Sequence, residues 1–167
     1  MDIQLVQLSP DDGRDVYEML QRIDRRENDF NNEAKGMTYE EYRKWLAERD
    51  SWSRGEALPD GYVKQWIYWL KVDGVPVGIG KLREHITQES TRWGGNIGFA
   101  VDSQARGKGY GLLLFQMLLR KASDIGIDEI VSTVMSTNVP SRKVHEKLGG
   151  ELFKEDGGIL YYRFNEI

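Results

Sequence analysis

The chain of 167 residues carries 23 Lys/Arg against 27 Asp/Glu, a net charge of −4, with 40% apolar and 30% charged residues. That balance describes one soluble globular domain and excludes a disordered, collagen-like or membrane-spanning chain. Cysteine is absent, which excludes disulfides and thiol nucleophiles, and the two histidines, His85 and His145, are too few for a three-histidine zinc centre.

No apolar run nears the ~20 residues that a bilayer requires, so no membrane partner is expected. The opening MDIQLVQLSP lacks the apolar core of a leader, and a cytoplasmic protein is expected. The acidic balance speaks against a nucleic-acid partner. Charge is uneven: residues 1–60 hold 9 Lys/Arg and 15 Asp/Glu, whereas residues 61–167 hold 14 and 12. An acidic first part suits a cationic substrate, and the remainder suits an anionic cofactor.

Residues 3–8 read as a first strand. Ser9 and Pro10 then supply a cap hydroxyl and a proline for the first helical turn, so a helix is expected from there to about Asp24, carrying Val16, Met19, Leu20 and Ile23 at helical spacing. Residues 25–37 are polar and read as a loop. Thr38 followed by Glu41 is a capping box opening a second helix. Residues 64–72 are aromatic and β-branched, a strand whose Trp66 and Trp69 belong to the core. Asp73-Gly74 signals a hairpin to a return strand at 75–82. Residues 83–95 are polar, and 96–101 form the next strand. A strongly apolar helix follows Gly111, then a strand at 129–135, a short helix at 140–148, and a closing hairpin across Asp156-Gly157-Gly158. The order β-α-α-β-β-β-α-β-α-β-β is mixed α/β: an antiparallel meander, a βαβ crossover and a final hairpin.

The chemistry concentrates between the strand at 96–101 and the apolar helix. Gly107, Gly109 and Gly111 alternate there with Arg106, Lys108 and Tyr110. Glycines permit positive φ and close approach of a ligand. A helix N-terminus presents free amides and a favourable dipole to an anion, and two cations stand beside it, which suits a diphosphate. The spacing is neither GxxxxGK[ST] nor GxGxxG.

Arg106, Gly109 and Gly111 fill the pattern [QR]xxGx[GA], and the stretch resembles motif A of the GNAT family of N-acetyltransferases. Asn138, Ser141, Glu146, Lys147 and Gly149 resemble its motif B, with His145 where a tyrosine is frequent. The resemblance spans nearly the whole chain and implies a single acyl-CoA N-acyltransferase domain using acetyl-CoA, its sheet split between the fourth and fifth strands. It implies pyrophosphate on the amides of Arg106, Gly107, Lys108, Gly109, Tyr110 and Gly111. The pantetheine arm would lie along Phe99, Ala100 and Val101, beside a bulge in that strand, with an amide near Phe99 or Ala100 polarising the thioester carbonyl. Asn138 would hold the arm, while Lys143 and Arg142 lie within reach of the adenosine phosphate or are solvated helix cations.

The reaction implied is direct attack by an amine of a small molecule or peptide in a ternary complex. Catalytic candidates are His145 as the acid, and Glu84 and His85 as bases. The acceptor pocket would draw on Asp24, Glu27, Asp29, Phe30, Glu33 and Trp52, a set suiting an organic cation, with Gln88 and Trp93 beside it. Two alternatives stand: a non-catalytic acyl-CoA-binding module lacking a working acid–base set, and a homodimer formed through an exposed edge at residues 159–164.

Overall fold

In the computed structural model, which describes residues 1–27, 30–87 and 95–165, the elements follow the expected order with three additions. They are β1 (Ile3–Gln7), α1 (Arg14–Gln21), β2 (Arg26–Glu27), β3 (Phe30–Asn31), α2 (Tyr39–Ser53), β4 (Gln65–Val72), β5 (Val75–Arg83) and β6 (Ile97–Val101). A 3-10 turn (Ser103–Ala105) leads into α3 (Tyr110–Asp124), β7 (Ile130–Met135), α4 (Val139–Lys147), β8 (Glu151–Asp156) and β9 (Ile159–Phe164). Besides the 3-10 turn, the additions are β2 and β3, two-residue strands that pair antiparallel inside the expected loop, Glu27 opposite Phe30.

The local rules explain most boundaries. Thr38 Oγ1 accepts from Glu41 N while the Glu41 carboxylate accepts from Thr38 N, the reciprocal capping box. Asp73 and Gly74 both take positive φ, 51° and 81°, which matches the twist of the β4–β5 hairpin. The start of α1 is different from expectation. Asp12 Oδ2 accepts from Ser9 N and from Trp69 Nε1, which holds residues 9–12 in a turn, so the helix begins at Arg14 behind Gly13. A long-range indole contact therefore overrides the Ser-Pro start signal.

Strands β1-β4-β5-β6 form one antiparallel sheet, and β7-β9-β8 form another. Here β9 is central, paired on both sides, so the edge expected at residues 159–164 is not free. The outer strand is β8, exposed along its whole length. Each side of the first sheet carries its own core. On one, α3 lies over β5, where Gly78 and Gly80 admit Leu114 and Leu118; a Cβ at Gly80 would stand 2.6 Å from Leu118 Cδ1. On the other, Val16, Leu20, Tyr42 and Leu46 of α1 and α2 cover Ile67, Trp69, Ile79 and Ala100. Burying such a side chain contributes about 1.5–3 kcal/mol, so each core fixes its helices firmly on the sheet. Among the described residues no helix is long and apolar enough to cross a membrane.

Candidate active site

Strands β6 and β7 run side by side but share no ladder; they are joined at one end and open at the other. The join is Asn96, which is fully buried. Its N–H donates to Val131 O (2.9 Å), its Oδ1 accepts from Val131 N (2.7 Å), and its Nδ2 donates to Glu129 O (2.8 Å). Gly95 takes positive φ against this join, where any Cβ would fall 1.9 Å from Val131 O. A cavity of about 550 Å³ runs into the gap; β6, the Arg106–Leu112 turn, Ser132, Thr133 and the start of α4 line it.

β6 pairs with β5 in unbroken register from Leu82–Ile97 to Gly78–Val101. The bulge expected in this strand is absent; the gap arises because pairing with β7 stops after Asn96. Register also decides which amides face the gap. Arg83 N donates to Asn96 O and Asp102 N donates to Val77 O. In an antiparallel ladder the bonded pairs alternate, so Gly98 and Ala100 are spent on β5 while the N–H groups of Ile97, Phe99 and Val101 point towards β7.

At the open end, Asp102 anchors the turn. Its carboxylate accepts from Gln104 N and from Nε and Nη2 of Arg22, each Arg22 bond 2.8 Å long. Gly107 and Gly109 take φ of 76° and 82°, and Gly109 caps α3. The first intrahelical bond runs from Leu113 N to Gly109 O. The preceding amides lack intrahelical acceptors, as at every helix start, and sit in the cavity wall. Arg106 is half-exposed and pairs with Glu27 at 2.5 Å, bridging the turn to the β2–β3 hairpin. Glu27 and Phe30 line the cavity from that side, and Phe30 lies over Gly98.

The deep wall belongs to His145, 1% exposed, whose ring is packed by Phe115, Tyr162, Phe164 and Phe99. Its Nδ1 is 2.6 Å from Ser141 O and its Nε2 2.7 Å from Ser132 Oγ. A carbonyl only accepts, so Nδ1 carries the proton and Nε2 accepts from the Ser132 hydroxyl. Burial pushes the imidazole pKa down to about 4, against the smaller opposing effects of Ser141 and Glu146. Asn138 caps α4, its Oδ1 accepting from Ser141 N, and also lines the cavity.

The cavity thus gathers His145, Asn138, Phe99, Ala100, Val101, Arg106, Gly107, Gly109, Tyr110 and Gly111. Lys108 and Lys143 are exposed and outside the lining. So are Glu84 and His85, which follow β5 at the closed end of the gap; the structure does not bring these two base candidates to the cavity. Of the acceptor-side residues, Glu27 and Phe30 reach it and Asp24 does not; Asp29, Gln88 and Trp93 lie outside the described residues. Sequence reasoning missed Asn96, Ser132 and Thr133. The Gly94-Gly95 pair before Asn96 was the available signal for the first.

The model for the acetyltransferase (GNAT) domain matches residues 2–151. The chain therefore belongs to the GNAT acetyltransferase family. Solved structures share the fold at low identity. A ribosomal L7/L12 alpha-N-protein acetyltransferase, RimL, in complex with coenzyme A aligns with TM-score 0.72 and 15% identity over 98% of this chain and 93% of its own. The Campylobacter jejuni N-acetyltransferase PseH in complex with acetyl coenzyme A aligns with TM-score 0.67 and 12% identity over 99% and 100%. The GNAT domain of S. lividans PAT aligns with TM-score 0.69 and 13% identity over 98% and 90%. No curated protein sequence matches the chain.

Proposed function

We propose that the protein is a cytoplasmic N-acetyltransferase that moves the acetyl group of acetyl-CoA to a primary amine of a small molecule or peptide. The observation that carries this reading is the gap between β6 and β7, with a turn rich in positive-φ glycines at its open end. The amides from Arg106 to Gly111 hold the pyrophosphate, aided by the dipole of α3. The pantetheine arm lies beside β6 and completes its unused edge, with Asn138 against it. Phe99 N–H, freed by register, donates to the thioester carbonyl and stabilises the oxyanion as the amine attacks. The names of the RimL and PseH complexes support the choice of cosubstrate.

His145 serves as a positioning residue. A proton donor for the departing thiolate must be the imidazolium, and burial disfavours that form. The neutral ring instead fixes the Ser132 hydroxyl in the cavity wall. Glu27 lines the gap, paired with Arg106, and orients the incoming ammonium; that group gives a proton to solvent before the neutral amine attacks, and CoA leaves as the thiolate, which solvent protonates.

Calorimetric titration with acetyl-CoA, followed by CoA-thiol release across a panel of amines, tests the reading. Binding is expected for the wild type and is lost in Gly109→Asp, which sets a carboxylate and a strained backbone at the phosphate position. Undiminished affinity in that variant would place the cosubstrate elsewhere. Binding without turnover of any amine would favour the acyl-CoA-binding module.

A further inference from the structure

Behind Phe30, on the side of β5 away from α3, lies a buried cluster of charge. Lys81 is 7% exposed; its Nζ donates to Glu33 Oε1 (2.9 Å) and Asn31 O (3.2 Å) and stands 4.9 Å from the Phe30 ring centroid. Arg49, 9% exposed, pairs with the second oxygen of Glu33 and, at 3.2 Å, with the outer carboxylate Glu48. Its guanidinium lies 3.6 Å over the Trp52 ring, which meets Tyr62 edge-on. Arg83 donates to Gly95 O, and among the described residues no carboxylate pairs with it. Among the described residues three cations, Lys81, Arg49 and Arg83, therefore stand with two carboxylates, the part-exposed Glu33 and the outer Glu48.

Two further observations show that the cluster is incomplete in its hydrogen bonding. Arg49 Nε is buried without an acceptor, and so are the indole N–H groups of Trp45 and Trp52. These three residues occupy positions i, i+4 and i+7, one stripe of α2. A buried donor left unpaired is destabilising by about 1–3 kcal/mol, so three on one stripe mark a place shaped for something else. Burial, with Arg83 and Arg49 alongside, also drives the Lys81 ammonium well below its ordinary pKa. The position is informative too. Lys81 is the ladder partner of Gly98, and Gly98, Phe30 and Glu27 all line the cavity. Solvent reaches the cluster past Glu33 and Tyr62, 29% and 43% exposed.

We infer that this cluster is the anion subsite of the acceptor pocket, and that the acetylated amine carries a carboxylate, as an amino acid or an acidic peptide does. The inference rests on the proposed transferase reading and names its substrate class. Arg83 takes the carboxylate as a charge-assisted pair. Phe30 stands between this subsite and Glu27, so the two ends of the acceptor meet opposite charges on either side of one ring. Glu33, expected to meet an organic cation, is paired instead with Lys81 and Arg49.

The test is calorimetry on CoA-loaded protein with free amino acids and dipeptides, each beside its carboxamide. At least one carboxylate should bind about tenfold or more tightly than its amide. Arg83→Gln should abolish the difference and Arg83→Lys should keep part of it, with acetyl-CoA affinity unchanged in both. Equal binding of acid and amide, or saturable binding of neither, overturns the anion subsite and leaves the transferase reading intact if acetyl-CoA still binds. Absence of acetyl-CoA binding to the wild type removes the transferase reading itself.

Discussion

His145 occupies the position where the family pattern has a tyrosine, and its surroundings hold it neutral. The unfolded chain binds a proton at its ordinary pKa of 6.5, whereas the folded ring resists protonation until about 4. The stability this gives is fully present above pH 6.5 and is lost as pH falls towards 4, a difference of about 3 kcal/mol. His145→Gln should remove that component, so between roughly pH 7.5 and pH 4 its unfolding free energy should fall by about 3 kcal/mol less than that of the wild type. Denaturant titration at the two pH values measures it, and identical losses would show that the ring titrates freely. The glycines of the turn before α3 were legible because their spacing, between a strand and an apolar helix, matches a family motif, and Gly107 and Gly109 do take positive φ. Ser132, Asn96 and the Lys81–Glu33–Arg49 contacts were not, since each depends on a partner 13 to 48 positions away.

At the scale of elements, two of the three hydrogen bonds that join the sheets at Asn96 come from its side chain. Asn96→Ala removes two hydrogen bonds and leaves Val131 N buried, so it should destabilise the fold by roughly 2–4 kcal/mol. Denaturant unfolding measures this, and a loss under about 1 kcal/mol, the worth of a single hydrogen bond, would mean that the side chain is not the fastener. Gly80→Ala should cost about 1–3 kcal/mol through overpacking against Leu118. Elements with local causes were readable: the Thr38 capping box, the Asp73-Gly74 turn and the apolar stripe of α3. Those with remote causes were not. Strands β2 and β3 are too short to show a period, and the start of α1 answers to Trp69. Ile159–Phe164 is almost continuously apolar, which marks a strand covered on both faces, whereas Glu151–Asp156 is largely charged, as suits an outer strand.

For the whole molecule, the hydrogen bonds that join β6 and β7 among the described residues are those of Asn96, and α3 shares one core with residues of both sheets. A cosubstrate lying in the gap touches both halves and should stabilise them together. At about a hundredfold excess over its dissociation constant it adds ~2.7 kcal/mol, which is a rise in Tm of about 5–10 °C for a chain of this size. Differential scanning fluorimetry should record that rise with acetyl-CoA and none with Gly109→Asp; equal shifts would separate stabilisation from the glycine turn. The buried join has one more consequence. On the proposed placement, an arm entering beside the glycine turn would travel along roughly 16 Å of β6, five residues at the rise of a strand, before meeting the Asn96 crossbar. That crossbar would then be a depth stop. Thioesters with longer tails would be held back from the correct seat, and the distance between a turn and an asparagine would measure the acyl group accepted.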